Sequence, residues 1–530
     1  MKVSYIDQQL AITFRYDASM VSTVKTLPER RWDSSKKTWW VPLEYLPQVL
    51  ERLPTLTVSD RAIEAYKRLH PSIEASKATD TDKVGRQLPG GLMHPFQAAG
   101  VRYMEGKGGR VLLADEQGLG KTVQVLAYLA RDQGDRMPAL VVCPVVVKNH
   151  WQAEAEKWLG WDCEILEGRR PYRIRLAALT VINYDVFSDW LPVLVAQPFR
   201  TLIMDESHYL KNKKAKRTEA VELLSRSIPH IIGLTGTPVL NRPAEVYNQV
   251  RIIRPDLFTN WWQFHERYNG VKSTRWGVEL GKPQNLPELE DRLRLNVMIR
   301  RTKEQVLPEL PDLTRTTIPI GVDLTEFDTL KGRIIQRLDA ARMDGTLSGL
   351  TLEEITQLRQ VAVEAKIGPA ISWLQNMKDS VESVVVFTHH HWVADQVAEA
   401  LDAPVLDGRT SLAKRSELIK AFQAGEYPVI ICGIRAMGVG INLHRASHCV
   451  FLELDWNMAT HSQGEARLHR IGQKNAVTSY YVLALGTLDE AMLGMLYEKQ
   501  DAMEGTVGDA PTPRVLELLM DSIIDKEEKK

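Results

Sequence analysis

The chain has 530 residues, the size of three or four folding units, and its 44% hydrophobic and 25% charged residues are typical of a globular protein. This composition excludes a disordered chain, a collagen-like chain and a disulfide scaffold. Lysine and arginine number 67, as do aspartate and glutamate, so the formal net charge is zero and any contact with nucleic acid needs a local basic surface.

Residues 1–75 differ in pattern from the rest and are expected to form a small α+β domain. Strands are predicted over 12–16 and 38–41, and a short helix over 43–53. The polar, weakly patterned stretch 76–88 is expected to be a linker.

From residue 89 to 241, short apolar segments alternate with amphipathic helical patterns. Nearly all-apolar, β-rich segments are typical of a parallel sheet that is covered on both faces. The pattern therefore predicts a doubly wound α/β lobe. Its strands are expected over 111–114, 139–143, 180–183, 201–204 and 230–234.

Residues 242–365 are predicted to be helical insertions and a brace, with breaks at prolines. A second lobe is expected over 366–500, followed by a frayed tail over 501–530. The predicted fold class is α/β, with two doubly wound parallel-sheet lobes, helical insertions and the small N-terminal domain. Strands of the second lobe are expected over 383–387, 405–407, 429–432, 449–453 and 478–484.

The motif DEQGLGKT lies between an apolar strand and an apolar helical pattern. Its glycines let backbone N–H groups approach phosphate oxygens, its lysine supplies a positive charge, and its threonine supplies a hydroxyl for Mg²⁺. The pattern predicts a phosphate-binding loop, although Asp115 stands where a glycine is usual. The residues expected to bind ATP here are Asp115, Glu116, Gln117, Gly118, Leu119, Gly120, Lys121 and Thr122.

The apolar segment TLIM ends in Asp205 and Glu206, as a central strand ends at the carboxyl edge of a sheet. Downstream of a phosphate-binding loop, this pair indicates that Asp205 holds Mg²⁺ and that Glu206 orients and deprotonates the attacking water. A third motif, GLTGTP over 233–238, also follows a strand; a capped turn is the alternative interpretation.

The segment SQGEARLHRIGQ carries three further candidate catalytic residues, Gln463, Arg467 and Arg470, which are spaced to fall on one helical face. An arginine there can stabilise the charge of a transferring phosphate. Because these residues belong to the second predicted lobe, they are expected to act across a cleft. A solvated basic helix is the alternative.

Together, DEQGLGKT, DESH, LTGTP, GVGINL and QGEARLHRIGQ resemble the motifs of superfamily-two helicases, and more narrowly of the Swi/Snf-type DNA-translocating ATPases. The blocks LMHPFQAAGVRYM, MIRRTKEQVLPELP and FLELDWNM match as well, so the resemblance covers about residues 88–500. The segments from ELDWN to YYVLALGT are most similar to the annealing-helicase, fork-remodelling branch, and RRWDSSKKTWWVPL resembles its HARP-type domain. The chain departs from the family pattern at Gln117, Met458 and Ala466.

The resemblance implies two RecA-like lobes that bind ATP and Mg²⁺ and move along duplex DNA as their cleft opens and closes. It assigns Gln97 to the reading of adenine, with Arg102 nearby, and His208 to the coupling of hydrolysis to DNA binding. The DNA contacts that it implies are Lys148, Asn149, Thr388, Gly438, Gly440 and Asn442.

Basic and aromatic residues outside these motifs suggest further DNA contacts. The run KNKKAKR over 211–217 could contact phosphates or be a solvated loop. Trp39 and Trp40, in a basic stretch that also holds Trp32, suggest stacking on unpaired bases. Because adjacent strand residues point to opposite faces, at least one of that pair is expected in the core. The consecutive histidines 389–391 are not expected to hold a metal.

The four cysteines form no CxxC pair, so a zinc site is not expected and a reducing compartment is the simplest interpretation. The chain shows no apolar core of a signal peptide and no apolar run of about 18 residues, so no membrane contact is expected. The expected location is cytoplasmic for a bacterial or phage protein and nuclear for a eukaryotic one.

The sequence therefore predicts a monomeric, ATP-dependent translocase on duplex DNA that remodels or anneals forked or branched DNA, with ATP and Mg²⁺ as its cofactors. The alternative is a nucleotide-gated DNA-binding ATPase that displaces or loads a protein partner without processive movement. A chromatin remodeller and an RNA helicase are less favoured.

Overall fold

The computed structural model describes residues 2–498, apart from 7–8, 28–29, 80–85, 176, 237–242, 275–276, 344–349, 435–440 and 457. The chain divides into two compact units: residues 1–116 with 120–306, and residues 117–119 with 307–530. Within the described residues, no helix is both long enough and apolar enough to cross a membrane.

The N-terminal part of the first unit is a five-stranded sheet with three helices. Its strand order is β3-β4-β2-β1-β5, antiparallel except where β1 pairs with β5. Val3, Leu10, Ile12 and Val41 are fully buried, so the inward positions alternate along the strands. The elements are β1 (Lys2–Ile6), β2 (Gln9–Thr13), α1 (Ala18–Val24), β3 (Arg31–Asp33), β4 (Thr38–Pro42), α2 (Leu46–Arg52), β5 (Thr57–Val58) and α3 (Asp60–Lys77).

A strand was predicted over 12–16, but the observed strand, β2, lies three residues earlier, at Gln9–Thr13. It pairs with β1 from Gln9 opposite Ile6 to Thr13 opposite Lys2. The short helix expected over 43–53 is confirmed as a 3₁₀ turn over 43–45 followed by α2.

Tyr45 attaches this N-terminal domain to the rest of the first unit. Its hydroxyl donates to Glu288 Oε1 at 3.2 Å and accepts from Arg292 Nη1 at 3.2 Å. Tyr268 donates to the same Glu288 oxygen at 3.0 Å. Because Tyr45 is buried, its hydroxyl is satisfied by Glu288 and Arg292 only while the two parts stay packed.

The larger part of the first unit is a seven-stranded parallel sheet of order β10-β11-β9-β12-β13-β8-β16. The strands predicted over 139–143, 201–204 and 230–234 are confirmed residue for residue. The elements are β6 (Gln87–Leu88), β7 (Gly91–Leu92), α4 (Pro95–Gly106), β8 (Arg110–Leu113), α5 (Lys121–Arg131), α6 (Gln133–Arg136), β9 (Ala139–Cys143), α7 (Lys148–Leu159), β10 (Cys163–Ile165), β11 (Leu179–Asn183), α8 (Tyr184–Val195), β12 (Thr201–Met204), α9 (Lys216–Ser225), β13 (His230–Leu234), α10 (Pro243–Ile253), α11 (Trp261–Tyr268), β14 (Val271–Thr274), β15 (Gly277–Leu280), α12 (Leu286–Asn296), β16 (Met298–Ile299) and α13 (Lys303–Val306).

The second unit is built on a six-stranded sheet of order β17-β22-β21-β18-β20-β19, in which every pair is parallel. The predicted fold class, two doubly wound parallel-sheet lobes and a small N-terminal domain, is confirmed. The elements are β17 (Leu313–Ile320), α14 (Thr325–Met343), α15 (Leu352–Ser380), β18 (Val384–Thr388), α16 (His391–Leu401), β19 (Val405–Leu406), α17 (Leu412–Ala424), β20 (Val429–Gly433), β21 (His448–Phe451), α18 (Met458–Leu468), β22 (Val477–Ala484) and α19 (Leu488–Glu498).

The prediction of helical insertions over 242–365 is wrong at β14–β16 and at β17, which are strands. β17 lies at the edge of its sheet, and most of its side chains are exposed or half-buried. Such a strand has no apolar run, so the pattern that revealed the other strands was missing.

We expect Tyr45→Ala to lower the free energy of unfolding by about 3–5 kcal/mol, because it removes a buried aromatic ring and leaves Glu288 and Arg292 with fewer partners. Urea denaturation measures the change. Tyr16→Ala is the matched control, because Tyr16 is 87% exposed. Equal stability of the two variants would contradict the attachment of the N-terminal domain through Tyr45.

Candidate active site

The loop between β8 and α5 has the backbone that its glycines predict. Gly118 has a φ of +89° and Gly120 a φ of +70°, a region that other residues rarely adopt. A Cβ on Gly120 would also lie 2.5 Å from Gln97 Nε2. Glycine is therefore required at residue 120, where the N-terminus of the 11-residue helix α5 begins.

Gln97, on α4, packs directly against this loop. Its side chain is buried, and its Oε1 accepts a hydrogen bond from the His94 N–H at 2.9 Å, which caps α4. The structure therefore brings Gln97 and the phosphate-binding loop together, as the sequence indicates. Arg102, one turn further along α4, is exposed.

Lys121 holds its ammonium group inside the loop. Nζ donates to the carbonyl oxygens of Asp115 at 2.8 Å and Glu116 at 3.3 Å. Burial lowers the pKa of Lys121, whereas the negative charges of Glu206 and of Asp115 oppose that shift. Thr122 follows it, half-buried in the first turn of α5.

Asp205 and Glu206 lie at the carboxyl edge of the same sheet, after its central strand β12. Asp205 Oδ2 accepts from Trp151 Nε1 at 2.9 Å, and Oδ1 accepts from the Glu206 N–H at 2.9 Å. Burial, with the neighbouring charge of Glu206, raises the pKa of Asp205 to about 6.

Two buried carboxylates with a nearby threonine hydroxyl are an oxygen donor set that fits Mg²⁺. Mg²⁺ in nucleotide sites uses one or two protein oxygens together with substrate phosphates, so a larger cage is not required. No cluster of three or more His, Cys, Asp or Glu side chains suited to a metal occurs among the described residues. The expected absence of a metal at histidines 389–391 stays a prediction.

Glu206 has a left-handed backbone, with φ +49° and ψ 54°. For a non-glycine residue this conformation costs about 1–3 kcal/mol and is typical of functional sites. The turn is held by the Tyr209 N–H, which donates to Glu206 O at 2.9 Å, and by Ser207 Oγ, which donates to Gln249 Oε1 at 2.5 Å. His208 Nδ1 lies 3.3 Å from Glu206 Oε2.

The side chains of Asp115 and Glu116 are engaged by residues that the sequence analysis did not single out. Arg301, fully buried, donates through Nε to Asp115 Oδ1 at 3.0 Å and through Nη2 to Oδ2 at 2.5 Å. Lys303 pairs with Glu116 at 3.4 Å. The Glu116 N–H also donates to Arg301 O at 3.0 Å, so these contacts hold the loop in place, and the expected nucleotide contacts of Asp115 and Glu116 stay predictions. Arg301 lies within the block MIRRTKEQVLPELP, but no spacing rule distinguishes it from its neighbours.

In the second unit, α18 carries Gln463 and Arg467, but it ends at Leu468. The expectation that Arg470 shares its face is corrected: Arg470 lies in the following turn, where its Nη1 donates to Ile441 O at 3.3 Å. The helix ends because Gln473 Nε2 donates to Leu468 O at 3.3 Å and holds the turn against the sheet.

Arg315 fixes the position of α18. It donates to both carboxylate oxygens of buried Glu465, through Nε at 2.8 Å and Nη2 at 2.7 Å. Gly464 allows the helix to approach the sheet, because a Cβ there would lie 3.1 Å from both Phe387 and Phe451. Gln463 is half-buried and Arg467 is buried.

Two of the expected DNA contacts are corrected. Lys148 is buried and its Nζ donates to Leu166 O at 3.2 Å, so its charge points into the fold. Thr388 is buried at the end of β18. Asn149 is exposed and Asn442 half-buried, whereas Gly438 and Gly440, like Thr237 and Pro238 of GLTGTP, lie outside the described residues.

The tryptophans of β3 and β4 divide as the alternation of strands requires. Trp40 is buried, which corrects its expected role in DNA contact and confirms that one of the pair belongs to the core. Trp39 lies on the face opposite to Trp40, across from the core residue Ile12, and is partly buried against that core. Its ring centroid is 5.0 Å from that of Trp32. Trp32 is 47% exposed, so it presents the accessible aromatic surface of this hairpin.

We expect Arg301→Met to lower the free energy of unfolding by about 3–5 kcal/mol, because it leaves the Asp115 carboxylate buried without its cation. Combining it with Asp115→Leu should restore much of that loss, since a buried ion pair can be replaced by apolar side chains. Denaturation in urea measures both, with Arg170→Met at an exposed arginine as the control. A single variant as stable as this control would contradict the structural role of Arg301.

The sequence matches the SNF2-related domain over residues 96–366 and the helicase conserved C-terminal domain over residues 365–472. A Caenorhabditis elegans relative, the "SWI/SNF-related matrix-associated actin-dependent regulator of chromatin subfamily A-like protein 1 homolog", is 30% identical over 516 residues, which cover 92% of this chain and 73% of that protein.

Two vertebrate relatives are longer than this chain. The Xenopus tropicalis "SWI/SNF-related matrix-associated actin-dependent regulator of chromatin subfamily A-like protein 1" is 32% identical over 512 residues, covering 91% of this chain and 53% of that protein. The Bos taurus "DNA annealing helicase and endonuclease ZRANB3" is 32% identical over 475 residues, covering 83% of this chain and 43% of that protein. The chain therefore spans about half the length of these curated relatives.

Proposed function

Because the chain belongs to the SNF2-related family, we propose that it is a DNA-dependent ATPase that moves along duplex DNA and remodels or anneals forked DNA. The observation that carries the proposal is the meeting of the phosphate-binding loop with Asp205 and Glu206 at one edge of the first unit's sheet. Phosphate-binding donors beside a coupled pair of carboxylates suit the hydrolysis of a nucleoside triphosphate.

Each residue of this edge has a chemical task in the proposed reaction. The N–H groups of the loop and Lys121 bind the phosphates, and Gln97 contacts the adenine. Thr122 and Asp205 hold Mg²⁺, which when bound offsets the charge of the phosphates. Glu206 positions the attacking water and accepts its proton. Gln463, Arg467 and Arg470, in the second unit, are proposed as catalytic residues from their motif alone.

The N-terminal hairpin is proposed to recognise unpaired bases at a fork. Its support is the exposed ring of Trp32, which rests on Trp39. Arg31, Lys36 and Lys37 are also exposed on this hairpin, with Lys36 lying over the ring of Trp40 on the opposite face. An exposed aromatic ring and cations on one hairpin suit single-stranded nucleic acid, because bases stack while cations bind the backbone.

Location and oligomeric state stay proposals. The relatives named above come from animals, so they lend no support to a bacterial or phage source. We propose that the protein acts on DNA as a monomer, without a membrane contact.

We expect Glu206→Gln to lower ATP turnover by about 10²–10⁴-fold while ATP still binds, because the general base is lost and the phosphate-binding groups remain. Lys121→Ala should weaken both ATP binding and turnover. Steady-state ATPase assays without DNA, with single strand, duplex and a model fork measure the effect, and Glu304→Gln at an exposed glutamate is the control.

Normal turnover by Glu206→Gln would overturn the proposed site. Wild-type turnover that no DNA stimulates would favour the nucleotide-gated alternative. A triplex-displacement assay separates movement from binding, because only a translocase removes a third strand at the expense of ATP.

We expect Trp32→Ala to weaken fork binding by about 5- to 100-fold, the cost of one lost base stack, and to leave duplex binding nearly unchanged. Fluorescence anisotropy with forked and plain duplexes measures the ratio. Trp262→Ala is the matched control, since Trp262 is 53% exposed elsewhere in the first unit. An unchanged ratio would remove the hairpin from fork recognition.

A further inference from the structure

Residues 211–217, defined here as the basic loop, directly follow the turn that carries Glu206 and include the first two residues of α9. Lys213, Lys214 and Lys216 are exposed, and none of the three forms an ion pair with any residue that the structure describes. The net positive charge of this surface is therefore not neutralised by neighbouring acidic side chains. An arrangement of this kind attracts a polyanion.

Hydrogen bonds hold the backbone of the basic loop in one conformation. Asn248 Nδ2 donates to Lys211 O at 2.5 Å, the Lys214 N–H donates to Asn212 Oδ1 at 3.0 Å, and Arg217 Nε donates to Tyr209 O at 3.1 Å. Lys211 itself pairs with Glu245 at 3.2 Å. The three exposed lysines thus extend from a fixed support, which distinguishes the basic loop from a freely solvated one.

Tyr209 lies between the basic loop and the catalytic carboxylates. Its ring stacks on that of Tyr184, with centroids 5.4 Å apart and planes inclined by 9°. The guanidinium of Arg217 lies 5.5 Å from the ring centroid of Tyr209. Tyr184 in turn donates its hydroxyl to Asp205 O at 2.8 Å.

The backbone of Tyr209 also belongs to the turn that sets Glu206. Its N–H donates to Glu206 O, which helps to maintain the left-handed conformation of that residue. The ring of His208 is tilted against that of Tyr209, with centroids 5.2 Å apart. A displacement of Tyr209 therefore changes the position of Glu206 and of His208 together.

We propose that the basic loop binds the phosphate backbone of DNA and that Tyr209 is a positioning residue that holds the Glu206 turn in place beside this contact. The inference rests on the proposed DNA-dependent ATPase activity. Arg217, which is part-exposed and contacts both the ring and the carbonyl oxygen of Tyr209, connects the basic loop to this positioning residue.

The test measures ATPase rate against duplex concentration, which separates the maximal rate from the DNA concentration for half-maximal stimulation. The triple variant Lys213→Gln, Lys214→Gln, Lys216→Gln should raise the half-maximal concentration by about tenfold or more. The slope of the logarithm of DNA affinity against the logarithm of salt concentration should become shallower by about one for each lost phosphate contact. The matched control replaces three other exposed lysines of the same unit with glutamine, Lys25, Lys77 and Lys282.

Tyr209→Leu should give the opposite result: an unchanged half-maximal concentration with a maximal DNA-stimulated rate at least fivefold lower. Tyr209→Phe keeps the ring and should retain the wild-type rate. A thermal melt of each variant confirms that it is folded.

The outcomes separate a failure of the proposed DNA-dependent ATPase activity from a failure of the proposed phosphate contact or of the Tyr209 role. A wild-type protein that duplex does not stimulate would overturn the proposed function itself. A stimulated wild type with a triple lysine variant that matches its control would overturn phosphate binding by the basic loop. A folded Tyr209→Leu variant with the wild-type maximal rate would overturn the positioning role.

Discussion

The candidate site of the first unit depends on a charged pair that has no access to water. The guanidinium of Arg301 contacts the Asp115 carboxylate, Gln124 Oε1 and the carbonyl of Phe96. Because a lone buried charge is strongly destabilising, the strand before the phosphate-binding loop, the helix after it and the start of α4 are confined to arrangements that satisfy this side chain. A planar guanidinium with fixed donor directions makes that requirement geometrically specific. One arginine, remote in sequence, thus determines the relative position of three segments that would contact a nucleotide.

The edge of the sheet that carries the candidate catalytic residues holds two energetically unfavourable features. Asp205 and Glu206 are buried beside one another, and Glu206 also has an unfavourable backbone conformation. A bound cation would offset the repulsion between the two carboxylates. Replacing either carboxylate with an apolar side chain would also end the repulsion, but it would remove the group proposed to bind Mg²⁺ or to accept a proton. The surrounding hydrogen bonds from Trp151 and Tyr184 explain how the sheet tolerates this arrangement.

Local patterns were enough to find the sheets and the ends of their central strands. Buried strands such as β9 and β12 are continuous apolar runs, and the chemistry follows directly after them. β17 was missed because an edge strand with exposed side chains lacks such a run. Neither the burial of Lys148 nor the structural role of Arg301 could be predicted, because each depends on contacts with residues that are distant in sequence. The end of α18 before Arg470 depends in the same way on Gln473, whose side chain also contacts His444 O and Ala446 O.

The attachment through Tyr45 means that the N-terminal domain is separate in sequence but not independent in its packing. In sequence, residues 1–75 are a distinct segment with their own sheet and core. In space, however, the carboxylate of Glu288 and the guanidinium of Arg292 are completed by a hydroxyl from that segment. An exchange of this domain between relatives would therefore have to preserve a tyrosine at the same place or change α12 along with it. The two regions therefore depend on one another for packing, even though the chain between them is long.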